Sequence, residues 1–257
     1  MNAMQCIAAC AIATRASGLF LSFLCWQASA QTVPATDGIA TALPPGHWQV
    51  QGIPGGKIAL TQFDTVTLDG SKVLRIQTNK SYANLTHTFK PGPLAATIPT
   101  TPSMLRWRWR LDQPVANADL RRKEGDDAAI KVCAFFDMPL DQLPFWERTL
   151  LRIARARTGQ YLPSATLCYV WDPKLAVGTD LPNAYTQQVR YVVLDSASSP
   201  LRQWVSQTRD IRADFLRSFG AQTSTVPPLL GIGIGADADN TSGASLAYVD
   251  GLSLMEQ

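Results

Sequence analysis

Three short segments carry the side chains that could do chemistry. Lys123-Glu124-Gly125-Asp126-Asp127 crowds three carboxylates into four positions, directly before a strand-like run that begins near Ala129. Such a group can hold a hard cation such as Ca²⁺, which takes oxygen ligands, or supply a general acid and a general base. As a plain turn it would put Gly125 at positive φ and bond its Asp side chains to local amides. Gly235-Ala236-Asp237-Ala238-Asp239-Asn240-Thr241 offers further oxygen donors and looks like half of a Ca²⁺ loop. The Gly and Glu that complete an EF-hand loop are absent, and a hairpin loop uses the same residue types. Asp172 closes the run Tyr169-Val170-Trp171. Rings beside carboxylates recur at Trp48, Trp107, Trp109, Trp171, Trp204, Tyr169 and Tyr248. Sugars suit such surroundings, because their C–H faces stack on rings and their hydroxyls bond Asp, Asn and Arg. Large rings also simply fill a core.

The chain contains no nucleophile elbow, no phosphate-cradling loop and no zinc-protease helix. His47 falls in a Pro/Gly turn and His87 in a strand with Leu85 and Phe89, both outside the acidic segments. The candidate ligand contacts are therefore Arg108, Asp126, Asp127, Tyr169, Asp172, Asp237, Asp239 and Asn240. Ca²⁺ is the one cofactor the pattern suggests, with Asp237, Asp239 and Asn240 as donors.

The elements that must position these residues read as short strands. Along Met104–Leu111, Leu105, Trp107, Trp109 and Leu111 fall on one face and Arg106, Arg108 and Arg110 on the other. That period of two marks a half-buried antiparallel strand. Similar runs cover Lys57–Leu60, Phe63–Leu68, Lys72–Thr78, Tyr82–Phe89, Ala129–Phe136, Thr166–Trp171, Val189–Leu194, Trp204–Ser206, Leu229–Gly235 and Ser245–Leu254, with an Asp69-Gly70 turn. Many short strands with Gly/Pro turns predict an all-β, jelly-roll-like antiparallel β-sandwich with one or two short helices. Ile211–Phe219 reads as one helix, stopped by Gly220. Pro144–Thr158 reads as another, stopped by Gly159, with Trp146, Leu150, Ile153 and Ala154 on one side and an Arg148, Arg152, Arg155 stripe. Such a helix either covers an open end of the sandwich with its polar side in water, or uses the arginines to engage a partner protein or an anionic membrane.

Residues 1–30 read as a cleavable signal peptide: Arg15, an apolar run Leu19–Trp26, then Ala28-Ser29-Ala30. The run is shorter than the roughly 20 residues a bilayer span needs, and nothing later in the chain is long and apolar enough to cross. A periplasmic or secreted protein is expected, with residues 31–46 a flexible Pro/Thr/Ala/Gly-rich arm and 47–257 a single domain. Cys6, Cys10 and Cys25 would leave with the signal, so that Cys133 and Cys168 remain. In an oxidising compartment they either bond or stay buried thiols. A net charge of +3 over 257 residues suggests no field that would gather nucleic acid.

The motif string resembles a bacterial family of exported proteins whose domain has no assigned function. The resemblance rests on Trp107-Arg108-Trp109, Lys123-Glu124-Gly125-Asp126-Asp127-Ala128 and Leu167-Cys168-Tyr169-Val170-Trp171-Asp172, then Trp204-Val205-Ser206, Arg209-Asp210, Asp214-Phe215 and the Gly235–Thr241 segment. It covers roughly Trp48 to Leu254 and implies a sandwich akin to carbohydrate-binding jelly rolls, with no catalytic residues to carry over. Three roles follow as expectations: a non-catalytic binding module for a glycan or other polyhydroxylated ligand, a polysaccharide-acting hydrolase or lyase on the same scaffold, or a structural envelope protein that binds a protein partner.

Overall fold

The computed structural model describes residues 33, 34, 36, 39–53, 57–89, 103–158 and 162–255. The expected signal peptide, residues 1–30, and the expected helix stop at Gly159 lie outside the described residues. The elements are β1 (Ala40–Ala42), β2 (Gly46–Gln51), β3 (Gln62–Leu68), β4 (Ser71–Asn79), β5 (Tyr82–Phe89), β6 (Met104–Gln113), β7 (Lys131–Phe136), α1 (Phe145–Thr158), β8 (Ala165–Asp172), β9 (Asp180–Pro182), β10 (Val189–Ser196), β11 (Val205–Asp210), α2 (Ile211–Phe219), β12 (Leu229–Asp237) and β13 (Ala244–Met255).

The strands form the two layers of a β-sandwich. The first sheet runs β11-β6-β13-β4-β3 with β1 added beside β13; the second runs β2-β5-β12-β7-β8-β10-β9. The expected antiparallel pairing holds for most neighbours. The exceptions are β1 with β13 and β8 with β10, which are parallel. The first of these corrects the flexible arm: Ile39 is buried in the core, its carbonyl accepts from Leu252 N–H at 2.8 Å, and the residues after it form a strand. A second correction is Lys57–Leu60, which contributes only an isolated bridge from Ala59 to Ser81.

Alternation along each strand decides which face turns inward. Leu105, Trp107, Trp109 and Leu111 of β6 meet Leu74 and Ile76 of β4, Leu85 of β5, Val132 of β7, Ile232 and Ile234 of β12 and Val249 of β13 in one core. Each aliphatic side chain fully withdrawn from water contributes about 1.5–3 kcal/mol. Asp69 and Gly70, at φ 51° and 80°, make the two-residue turn that joins β3 to β4.

Helix α2 begins on Asp210, whose carboxylate accepts from the backbone N–H groups of Arg212 and Ala213. It buries Ile211, Phe215 and Phe219, and Phe215 meets Phe136 of β7 with ring centroids 4.6 Å apart. Gly220 ends it without the left-handed turn expected, at φ −59°; a Cβ there would stand 2.4 Å from the Leu216 carbonyl oxygen.

The outer face of the second sheet is only partly covered. Leu120 and Ala128, from the segment before β7, pack there with Val170, Tyr191, Val193 and the two cysteines. Strand β8 is consequently buried on both faces along its whole length. The uncovered part of this face holds the site.

Candidate functional site

Three rows of side chains run across the outer face of the second sheet, each fixed by strand register. One row is His47, Thr88, Gly231, Phe135, Thr166 and Val189. The next is Gln49, Thr86, Gly233, Cys133, Cys168 and Tyr191, and the third opens with Gln51, Asn84, Gly235 and Lys131. Strand β12 thus presents glycine in every row, and atoms of neighbouring residues take up the space each Cβ would need. A Cβ on Gly233 would stand 2.6 Å from the Phe135 ring, and one on Gly235 would stand 2.0 Å from Asn84 Oδ1. Cys133 and Cys168 face each other in the middle row and are joined by a disulfide. The result is a trough of about 800 Å³, within the roughly 300–1,000 Å³ of small-molecule clefts. Amide and hydroxyl side chains of β2 and β5 line one flank, and Tyr185, Tyr191 and Asn183 line the other.

Charge gathers at one end. The Asp237 carboxylate accepts from Ala128 N–H at 2.9 Å and lies 3.1 Å from Lys131 Nζ, both groups almost wholly buried. Burial opposes the Lys131 charge, but the Asp237 carboxylate and the Tyr82 ring 4.9 Å away hold its pKa above the ordinary lysine range. Asp126 Oδ2 accepts from Asn183 Nδ2 at 2.5 Å, and the same amide reaches the Tyr191 hydroxyl at 3.0 Å. Burial, together with the nearby Asp237 charge, pushes the Asp126 carboxyl up to about 6. Asp239 is raised by the same two causes.

Buried oxygens without a hydrogen-bond partner mark this end of the trough: Asp126 Oδ1, Asp239 Oδ1 and Asn84 Oδ1, all on lining residues. Unmet buried acceptors are costly unless something donates to them.

The structure brings together five of the eight residues singled out from sequence. Asp126, Asp237, Asp239 and Asn240 line the trough. Asp127 sits beneath them and ties the two acidic segments together, its oxygens accepting from Asn240 N–H at 3.0 Å and Thr241 N–H at 2.7 Å. This segment crosses from one sheet to the other and forms no hairpin, since β12 and β13 belong to different sheets. Gly125 is absent from the positive-φ residues; it is needed for space, because a Cβ would stand 3.0 Å from the Asp119 backbone.

The other three are corrected. Arg108 lies on the first sheet, bonded to Asp250 at 2.8 Å through Nε and 4.7 Å above the Trp204 ring. Tyr169 is in the core, where its hydroxyl donates to Asp214 at 2.7 Å. Asp172 is wholly buried and caps the turn after β8 by accepting from Lys174 N–H and Leu175 N–H. None of the three reaches the trough.

For a cation, one carboxylate oxygen each from Asp127, Asp237 and Asp239 lies within 4.8 Å of the others. Asp127 spends its oxygens on backbone amides, and Lys131 already brings a positive charge to Asp237. Asn240 turns its side-chain amide to the Asp126 carbonyl at 3.0 Å. Any cation at this group competes with Lys131.

Sequence reasoning set His47 aside as a turn residue, although it stands in β2, and passed over Gln49, Gln51, Asn84, Thr86, Lys131, Asn183 and Tyr185. The available signal was the polar alternation along β2 and β5 together with the every-second-residue glycines of β12.

The model of a family described as a protein of unknown function (DUF3047) matches residues 46–253. No curated protein matches the sequence. Among solved structures, endoglucanase 3 of family GH12 from Trichoderma harzianum is similar at 11% identity and a TM-score of 0.43, covering 84% of this chain and 93% of that one. The xyloglucanase domain of NopAA, a type three effector from Sinorhizobium fredii in complex with cellobiose, is similar at 9% identity and a TM-score of 0.40, covering 82% and 93%. Neither likeness transfers a residue or an activity.

Proposed function

Because the chain belongs to the DUF3047 family, whose function is unknown, its role has to be sought in the trough, and we propose that the trough binds a polyhydroxylated ligand, a short glycan segment, in an exported protein. The observation that carries this reading is the set of unpartnered acceptors, Asp126 Oδ1, Asp239 Oδ1 and Asn84 Oδ1. A ligand rich in hydroxyls brings donors to the end of the trough where these acceptors are unmet. Tyr185 and Phe135 are among the aromatic residues of the lining and supply stacking contacts for a sugar ring. A glycan array followed by calorimetry, with and without Ca²⁺, tests it. Asn84→Ala and Tyr185→Ala should each weaken binding about tenfold, the loss of one hydrogen bond or one ring contact. Unchanged affinity in both variants sinks the reading.

A hydrolase is the second reading, and the Asp126 carboxyl favours it. A group that titrates near 6 beside a cleft is suited to donate a proton to a leaving oxygen. Asp239 is the carboxylate of the lining that would act opposite it. Release of reducing ends from a bound oligosaccharide, abolished in Asp126→Asn, would establish this reading; binding without release keeps the first.

A further inference from the structure

Helix α1 is mounted the opposite way from the end-covering arrangement. Inward it sets Leu151 against the core, and its other anchoring contacts are polar. The Glu147 carboxylate accepts from Thr186 Oγ1 at 2.8 Å and Gln187 N–H at 3.0 Å, and Arg155 donates to the Leu162 carbonyl at 3.0 Å while lying 3.7 Å from Asp137. The large apolar side chains face water instead: Phe145 is 75% exposed, Trp146 52%, Leu150 55% and Ile153 43%. Contiguous apolar surface of this kind marks an interaction site.

Charge says which occupant fits. Arg148, Arg152 and Arg157 flank the apolar side chains, and among the described residues none of the three pairs with a carboxylate. Arg148 stands 5.6 Å from the centre of the Phe145 ring. Arginines rimming an aromatic and aliphatic face match an anionic lipid surface, where the rings and Leu/Ile enter the headgroup boundary and the guanidinium groups stay at phosphate level. A helix of 14 residues is about 21 Å long, so it lies along the interface; it is too short to cross roughly 30 Å of hydrocarbon.

We propose that the outward face of α1, Phe145, Trp146, Leu150 and Ile153 rimmed by Arg148, Arg152 and Arg157, docks the protein on anionic phospholipid membranes. Arg155, grouped with the stripe from sequence, belongs to the fold and takes no part. The docking is reversible and independent of the trough.

Co-sedimentation with vesicles tests it, comparing phosphatidylcholine alone with phosphatidylcholine containing about one-third phosphatidylglycerol. The protein should pellet with the anionic vesicles and release as salt is raised. Replacing one arginine should weaken partitioning about fivefold, and Arg148→Gln, Arg152→Gln and Arg157→Gln together about a hundredfold. The pair Trp146→Ser and Leu150→Ser should abolish pelleting while leaving the melting temperature unchanged, because both side chains are already exposed. Equal pelleting of variants and parent overturns the proposal. So does failure to bind anionic vesicles, including the case in which this face instead joins two copies of the chain and the Trp146/Leu150 pair dissolves that dimer.

Discussion

Lys131 Nζ and Asp237 Oδ2 lie 3.1 Å apart between neighbouring strands of the second sheet, at a depth where neither meets bulk water. The pair holds β7 to β12 at the acidic end of the trough. Removing one member strands the other as a buried uncompensated charge, which costs about 3–5 kcal/mol. Lys131→Met should destabilise by that amount in denaturant unfolding, and adding Asp237→Asn should recover a large part of it. A single variant that loses less than about 1 kcal/mol would show that the pair is not buried as described.

The Asp126 carboxyl carries the opposite sign. Its folded value of about 6 lies above its unfolded value of 3.8, so the folded protein holds an extra proton between those limits. Stability must then fall as pH rises from about 4 to 6. Asp126→Asn keeps an acceptor for Asn183 and removes the charge. The variant should be more stable than the parent by about 3 kcal/mol at pH 7 and equal to it below pH 4. Parallel stability curves across this window would contradict the assignment.

Gly235 tests the floor of the trough. A Cβ at this position would stand 2.0 Å from Asn84 Oδ1 and 3.0 Å from Lys131 Cε. Gly235→Ala should displace the Asn84 amide, cost about 1–3 kcal/mol and weaken glycan binding more than Asn84→Ala does. Affinity equal to the parent's would mean that the ligand sits elsewhere.

The disulfide between Cys133 and Cys168 closes a loop with a sequence separation of 35 residues. In the chain-entropy model such a closure stabilises by about 3–4 kcal/mol. Unfolding with and without reductant should differ by that amount, and Cys133→Ser should match the reduced parent.

Processing of the N-terminus completes the set. If residues 1–30 act as a signal peptide, mass spectrometry of the mature chain should find Gln31 at its start, and a mature chain that keeps residues 1–30 would remove the basis for an oxidising destination.

What could be read from sequence follows from where each side chain meets two different environments. Leu105 to Leu111 alternate between core and water, and that contrast is visible in residue types alone. The same logic failed on β8, whose two faces are both buried: Tyr169 and Asp172 looked like site residues because nothing local says that Asp214 and the Lys174 amide already occupy them. Arg108 was misassigned because its partner, Asp250, arrives from β13. Asp126, Asp127, Asp239 and Asn240 stand out by residue type alone, while the trough beside four of the acidic-segment residues does not. Gln49 and Asn84 pass for an ordinary wet face until β12 sets glycines between them and Lys131.

Strand β13 lies between β6 and β4, and its bonds to them bridge separations of 142 residues at Arg108–Asp250 and 167 at Thr78–Ser245. A sheet closed by its last-made strand cannot finish folding while the chain is still emerging. Such a high contact order slows collapse to the native state. The topology itself keeps the first sheet open until Ala244–Met255 is available to pair with β6 and β4.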